Sequence, residues 1–366
     1  MIDRKLIAFQ KIVPHVALAL QLFIPSIAYS DEAREYYNGA RGLGMGGAQI
    51  AVVNDETALL VNPAGLGKIR QAYGTIIDPE MEGGLNFVKL YTGGTITSPF
   101  DIEKMKLIVD ENRGQPFHAK AQLFPSFVVK NFGLGIHANY TADFQMNETG
   151  TEMKTYFRDD LTLAMGFNFR FFDGRVKLGA TGKLINRIEV DKTLDPTGDL
   201  SLDTHASEGV GISTDVGLNL AAPWTFLPTI SAVVRDVGGT RFTSGSGLRR
   251  TANTRPNEIL QDIDIGMALF PIHDGSKRST WALEYRSLRK AAEEEDKSKY
   301  IHAGYEFNYA DLLFFRVGWN QRYWTAGAEL ASEHMQFQIA SYGEEIGTAS
   351  ATQEDRRYLF KFAFRF

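Results

Sequence analysis

Cysteine is absent from this 366-residue chain, so no disulfide framework staples it. That absence is compatible with an oxidising compartment without assigning one. Long apolar runs are missing as well. After residue 30 no window reaches the ~18 consecutive apolar residues that a spanning helix needs, and charged residues make up 23% of the chain. Past residue 30, then, the chain either leaves the membrane or crosses it as strands. Net charge is -5 with no concentration of basic residues, which leaves nucleic acid no electrostatic footprint. Signatures of chemistry are equally scarce. The glycine-rich stretch near the start lacks the Gly-Lys-Ser/Thr ending of a phosphate loop, and no G-x-S-x-G elbow occurs. His118, His137, His205, His273, His302 and His334 show no H-x-x-x-H or H-E-x-x-H spacing. Neither a metal site nor a cofactor is expected, and no enzyme, although barrel hydrolases can assemble their groups from separate strands.

What is present begins at the two ends. Arg4, Lys5 and Lys11, an apolar stretch from Ile12 to about Ile24, and small residues Ala28 and Ser30 before Asp31 have the order of a cleavable secretory signal over 1–30. At the other end, Tyr358, Phe360, Phe362, Phe364 and Phe366 share one strand face while Arg357, Lys361 and Arg365 share the other. A soluble edge strand carrying five aromatics on one face would invite aggregation. In a bilayer the aromatics face lipid and the basic residues a polar lumen. This terminus resembles the signal by which the barrel assembly machinery recognises outer-membrane barrels.

Between the ends, long strands alternate apolar with polar. Leu161, Leu163, Met165, Phe167, Phe169 and Phe171 form one face, Asp173-Gly174 turns the chain, and Leu178, Ala180, Gly182 and Leu184 return on the same face. Soluble sandwich strands are usually only about five or six residues long. The pattern predicts strands near 70–78, 116–130, 134–145, 155–171, 175–190, 209–220, 228–237, 258–270, 280–287, 299–309, 312–320, 323–331, 335–342 and 357–366. That is an all-β, transmembrane antiparallel β-barrel of about fourteen strands, with twelve or sixteen as alternatives. Tight connections such as 131–133, 172–174 and 332–334 alternate with longer ones such as 191–208 and 238–257, placing the short turns in the periplasm and the long loops outside. Inward charges, among them Arg170, Lys177, Lys183, Arg187, Glu306, Arg316, Lys361 and Arg365, are expected to line the lumen as paired ions or as a substrate-selective ring. Asp101 to Asp110 repeats its apolar residues at helical spacing and fits either the lumen or the outer rim.

One segment has no strand rhythm. Residues 39–48 carry Gly44-Met45-Gly46-Gly47 within GARGLGMGGA, and 53–67 carry Asn54-Asp55 and then Asn62-Pro63-Ala64-Gly65. Together these pieces resemble the N-terminal hatch of the FadL/TodX family of outer-membrane transporters for hydrophobic compounds, a wider group that includes PorV-like barrels. The resemblance implies that 31–68 folds into the lumen as a plug, with Gly44, Met45, Gly46, Gly47, Asn54, Asp55, Asn62, Pro63 and Gly65 at the gate, and that 69–366 forms the barrel. It also implies passive transport of a small hydrophobic molecule with lateral exit through the wall. The alternative is a non-conducting PorV-like barrel that holds a surface or secretion partner. Glycine suits a threaded plug because it adds little bulk, and a barrel of this size would otherwise enclose water. Outer-membrane lipid and lipopolysaccharide are the expected surroundings in either case.

Overall fold

A strand with one apolar face can cross lipid only if both of its backbone edges are paired, which requires a closed sheet. The computed structural model, which describes residues 32, 34–94, 100–243, 245 and 247–366, contains such a sheet. The signal segment 1–30 and the cleavage point before Asp31 lie outside the described residues. In chain order the strand segments are β1 (Tyr73–Ile77), β2 (Glu80–Gly84), β3 (Phe117–Leu123), β4 (Ser126–Val129), β5 (Phe132–Met146), β6 (Met153–Phe171), β7 (Val176–Leu194) and β8 (Ser207–Ala221). They continue as β9 (Thr229–Arg235), β10 (Asp262–Leu269), β11 (Lys277–Tyr285), β12 (Ile301–Tyr309), β13 (Leu313–Asn320), β14 (Tyr323–Ala331), β15 (Met335–Glu345) and β16 (Glu354–Arg365). All pairings are antiparallel, and β16 returns to β1 and β2 to close the wall. β1 with β2, and β3 with β4, each occupy a single wall position, so the sixteen segments make a fourteen-stranded barrel.

The two split positions adjoin each other, and proline explains both. Pro79 and Pro125 lack the N–H that a ladder requires. Asp78 compensates from its side chain, accepting the Phe124 N–H at 2.5 Å, while Pro125 O accepts the Ile136 N–H at 2.9 Å. The first strand therefore starts at Tyr73 and runs through the break to Gly84, whereas alternation alone predicts an end at 78. Lesser differences are β10, which begins at Asp262 rather than 258, and β15 and β16, which extend to Glu345 and back to Glu354.

Facing follows the two-residue period. Leu161, Leu163, Met165, Phe167, Phe169 and Phe171 are exposed along β6, while Thr162, Ala164 and Asn168 are buried toward the lumen. Near the long-loop end, residues 155–160 of β6 and 187–190 of β7 are buried on both faces. There Arg249, from the loop after β9, donates to Asp159 and to Asn186 O. Helix Ile102–Glu111, capped by Asp101 accepting from the Lys104 N–H, presses Ile102, Met105 and Val109 into an apolar cluster with Phe117, Phe144 and Phe157. Its place is thus the long-loop end of the barrel. A second helix, Leu85–Thr92, packs beside that cluster; no cap residue announces it, since Gly84 caps it without a side chain.

Candidate functional site

The barrel's interior is occupied by its own N-terminal segment. Helix Ala40–Gly44 packs on β13, β14, β15 and β16, and the 3₁₀ turn Pro63–Lys68 packs on β6, β7 and β8. Gly46 and Gly47, with φ of +66° and +90°, form the turn between these halves. A Cβ on Gly46 would stand 2.4 Å from Ala303 O and 2.5 Å from Trp319 N. The wall answers with glycines of its own. Gly304 and Gly318 are cross-strand partners beneath Met45 and Gly46, and Gly327 lies against Gly44. A side chain at any of them would push the segment off the wall. Farther on, Pro63 rests on Gly179 and Asn62 on Gly217. Asn62 donates to Ile50 O at 2.7 Å and accepts from Ala64 N–H at 3.0 Å, so its amide both caps the 3₁₀ turn and ties it to the preceding chain.

Charge holds the segment as much as fit does. Arg41 grips Glu306 with two nitrogens at 3.0 and 2.8 Å, and Glu306 also accepts from Arg316 at 2.7 Å. Arg316 in turn pairs with Glu329. Glu284 accepts the backbone N–H of Gln49 at 2.7 Å and of Ile50 at 2.9 Å, while Arg286 donates to Glu284, Glu35 and Gly47 O. Arg365 meets both oxygens of Glu56 at 2.8 Å, and Lys361 lies 3.6 Å from Asp78 and from Glu80. Burial opposes the Glu56 charge, but Arg365 and then Lys361 outweigh it and leave the carboxyl below its ordinary range. Among the described residues Lys68 has no such partner. Its ammonium donates to Ala51 O at 2.7 Å, and burial, followed by repulsion from Lys177 and Arg41, pushes it down to about 7.

The residues singled out from sequence fall into distinct places. Gly44, Met45 and Gly46 lie on the wall glycines and Gly47 on the His302 ring; Asn62, Pro63 and Gly65 lie on the 3₁₀ turn; Asn54 and Asp55 sit beside Arg41. Lys183 and Arg187 pair with Asp215 and Asp160, as Glu306, Arg316, Lys361 and Arg365 do with the groups above. Arg170 and Lys177 stand apart, joined to no carboxylate among the described residues. Tyr358, Phe360, Phe364 and Phe366 are exposed, and Phe362 is half-buried against Phe337 with ring centroids 5.0 Å apart. Sequence reasoning did not single out Arg41, Glu35 and Glu56. Their signal was charge within a segment expected to enter a barrel, where each ion needs a wall partner.

At the short-turn end a vestibule of about 1500 Å³ opens beneath Arg41, Asn54 and Lys68. Above it are two small cavities of about 30 and 20 Å³, the first beside Tyr37, Glu56 and Lys361 and the second beside Glu35, Arg286 and Glu344. Each has room for about one water.

No family model matches the chain, and no curated protein matches it. Solved structures do. The CymD monoaromatic hydrocarbon channel superposes with a TM-score of 0.57 at 11% identity, over 89% of this chain and 96% of that one. The Pseudomonas putida toluene transporter TodX gives 0.54 at 10% identity, over 92% and 99%. The fourteen-stranded, closed fold of the FadL/TodX barrels is the fold of this chain.

Proposed function

We propose that this barrel resides in the outer membrane and lets a small hydrophobic molecule cross it passively, with residues 31–68 as a plug that shifts to open the path. The observation that carries this reading is how the segment is held. It touches the wall through glycine contacts, through exchangeable ion pairs around Arg41, Glu284 and Glu56, and through an apolar patch in which Leu59, Leu60 and Leu66 meet Phe124, Val128 and Val233, with the vestibule below ready to receive it. Glu306 keeps Arg316 as a partner when Arg41 leaves, so release does not strand a lone buried charge. The partly buried Phe87, Leu90 and Ile108, at the edge of the apolar cluster around Met105 and Phe144, offer a hydrophobic molecule its first contact at the long-loop end. The interruption at Asp78-Pro79 and Phe124-Pro125, beside Tyr37, is the place for lateral exit. The channels it resembles in fold are described as carrying monoaromatic hydrocarbons and toluene, which supports the substrate class.

Tethering tests the reading directly. A designed disulfide between Leu43 of the N-terminal segment and Ala340 of β15, members of one small apolar cluster, has no native cysteine to compete with it. Uptake of a hydrophobic probe into whole cells should stop on oxidation and return on reduction. Uptake indifferent to the tether would reject gated transport.

One observation favours a second reading. The lumen beside the plug is filled by ion pairs, and the two small cavities there are lined mainly by polar residues. A barrel so filled would serve as a non-conducting scaffold presenting its long loops to a surface or secretion partner, and the tether experiment separates it from the first.

A further inference from the structure

Through the middle and outer lumen, cations face carboxylates: Lys183 meets Asp215 at 2.9 Å, Arg187 meets Asp160 at 2.8 Å, and Arg316 meets Glu306 at 2.7 Å. One corner of the vestibule breaks the pattern. Arg170 on β6 and Lys177 on β7 are direct cross-strand partners, an arrangement of like charges that weakens a sheet unless something lies between them. Both side chains bend toward the same turn. Lys177 donates to Gly174 O at 2.5 Å, and the Arg170 guanidinium covers Gly174 so closely that a Cβ there would clash with it. The N-terminal segment brings a third cation to this corner: Gly67 rests on the Lys177 stem, and Lys68 follows, bonded to a backbone carbonyl in place of an acid. The acids of the vestibule are carried elsewhere. Asp274 and Asp311 lie on other turns and already hold Lys277 and Arg278, Glu306 and Glu329 hold Arg316, and Asp55, which also attracts Lys68, lies beside Arg41. Asp173, on the turn itself, is exposed and pairs with neither cation among the described residues.

We propose that this corner binds a phosphate group, held by Arg170 and Lys177 of the wall and Lys68 of the N-terminal segment. A guanidinium fork beside two amines suits a phosphate mono- or dianion, which offers at least two charged acceptor oxygens. The bound anion would cancel the repulsion between Arg170 and Lys177, and by bridging Lys68 to the wall it would favour the closed lumen. Phosphate can reach the corner in two ways. The vestibule admits a free solute, and Phe172 on the same turn is 77% exposed at the rim, within reach of phospholipid headgroups. The proposal does not depend on transport, since a non-conducting barrel would keep the site.

Equilibrium dialysis of the full-length barrel against radiolabelled inorganic phosphate, at constant ionic strength and pH 7, tests it. Arg170→Gln with Lys177→Gln should weaken retention about tenfold or more, a loss of about 1.4 kcal/mol. Arg278→Gln, which removes a vestibule cation already facing Asp311, should leave retention unchanged. Heat-modifiable gel migration shows which variants are folded, and Lys68→Met alone carries the same test if the double variant is not. A second arm uses native mass spectrometry of the barrel released from nanodiscs of phosphatidylglycerol or phosphatidylcholine. Phosphatidylglycerol retained by the wild type and lost by the variant assigns the site to a lipid headgroup; inorganic phosphate retained alone assigns it to a solute. Equal retention by wild type and variant, or retention of neither ligand, overturns the site.

Discussion

At the residue scale, the two-residue period of a strand says which way a side chain faces but not what it meets. The inward positions of Lys183, Arg187, Glu306 and Arg316 were therefore readable, whereas the Arg41–Glu306–Arg316 chain was not, because its members are separated by up to 275 positions in sequence, a range no local pattern spans. Glycine pairing was hidden for the same reason. Gly304 and Gly318 look like weak points of their strands until Met45 and Gly46 are seen lying on them. Glu306→Ala removes the acid that Arg41 and Arg316 share, leaving Arg316 to Glu329 and Arg41 to Asp55, and should weaken docking of the N-terminal segment by about 1.5–3 kcal/mol. Faster proteolysis within 34–68 in the folded barrel would be the sign, and an unchanged rate would show that fit alone holds the segment.

Titration gives the same contacts a direction. Glu56 is held below its ordinary range, so its contribution to docking is complete above the unfolded carboxyl value of about 4.3 and is lost as pH falls through its lower folded value. Lys68 works the other way. Its folded value is down near 7, against about 10.4 when free, so docking carries the full cost of this residue below pH 7 and is relieved as pH rises from 7 toward 10. Protease protection of the segment should therefore increase between pH 7 and 9, and Lys68→Met should flatten that rise. A rise of the same size in the variant would assign the effect to some other group.

At the scale of elements, long alternating strands were the easiest features to read. β6, β7 and β16 carry the expected outward faces because each crosses lipid over several consecutive outward positions. The first two wall positions were read less well, since Pro79 and Pro125 break the ladder and Asp78 repairs it from a side chain. Helix Leu85–Thr92 was not legible, having no capping side chain and only a half-buried face, Phe87 and Leu90, against the apolar cluster. The terminal strand makes a sharper claim. Phe366 exchanges backbone hydrogen bonds with Gly74 at 3.0 and 3.1 Å, and its ring covers Gly74, so the last residue closes the barrel on the first strand. Deleting Phe366, or replacing Phe364 and Phe366 with Asp, should leave the chain unassembled in the periplasm. Heat-modifiable barrel at wild-type yield would contradict this. On β6, Phe167→Arg should impair insertion by ~2–4 kcal/mol if the site lies near the midplane. Asn168→Arg is no neutral control there, because Asn168 is buried against Gly67 and donates to Ala64 O.

For the whole molecule, the question is whether wall and N-terminal segment are one folding unit or two. Every strand pairs with its neighbours, and the barrel closes through β16, without help from residues 32–68. The wall charges left behind by removal of the segment would meet water filling a fourteen-stranded lumen, which solvates them far better than an apolar core would. Deleting residues 32–64 while keeping the signal segment should therefore yield an inserted, heat-modifiable barrel whose planar-bilayer conductance exceeds that of the full chain. The full chain should stay nearly silent while Arg41, Glu284 and Glu56 hold their contacts. A truncated barrel that inserts but conducts no more than the full chain would mean that the wall itself collapses to fill the space. Residues 32–68 would then be a tether beside a solid barrel, and the scaffold reading would replace gated transport.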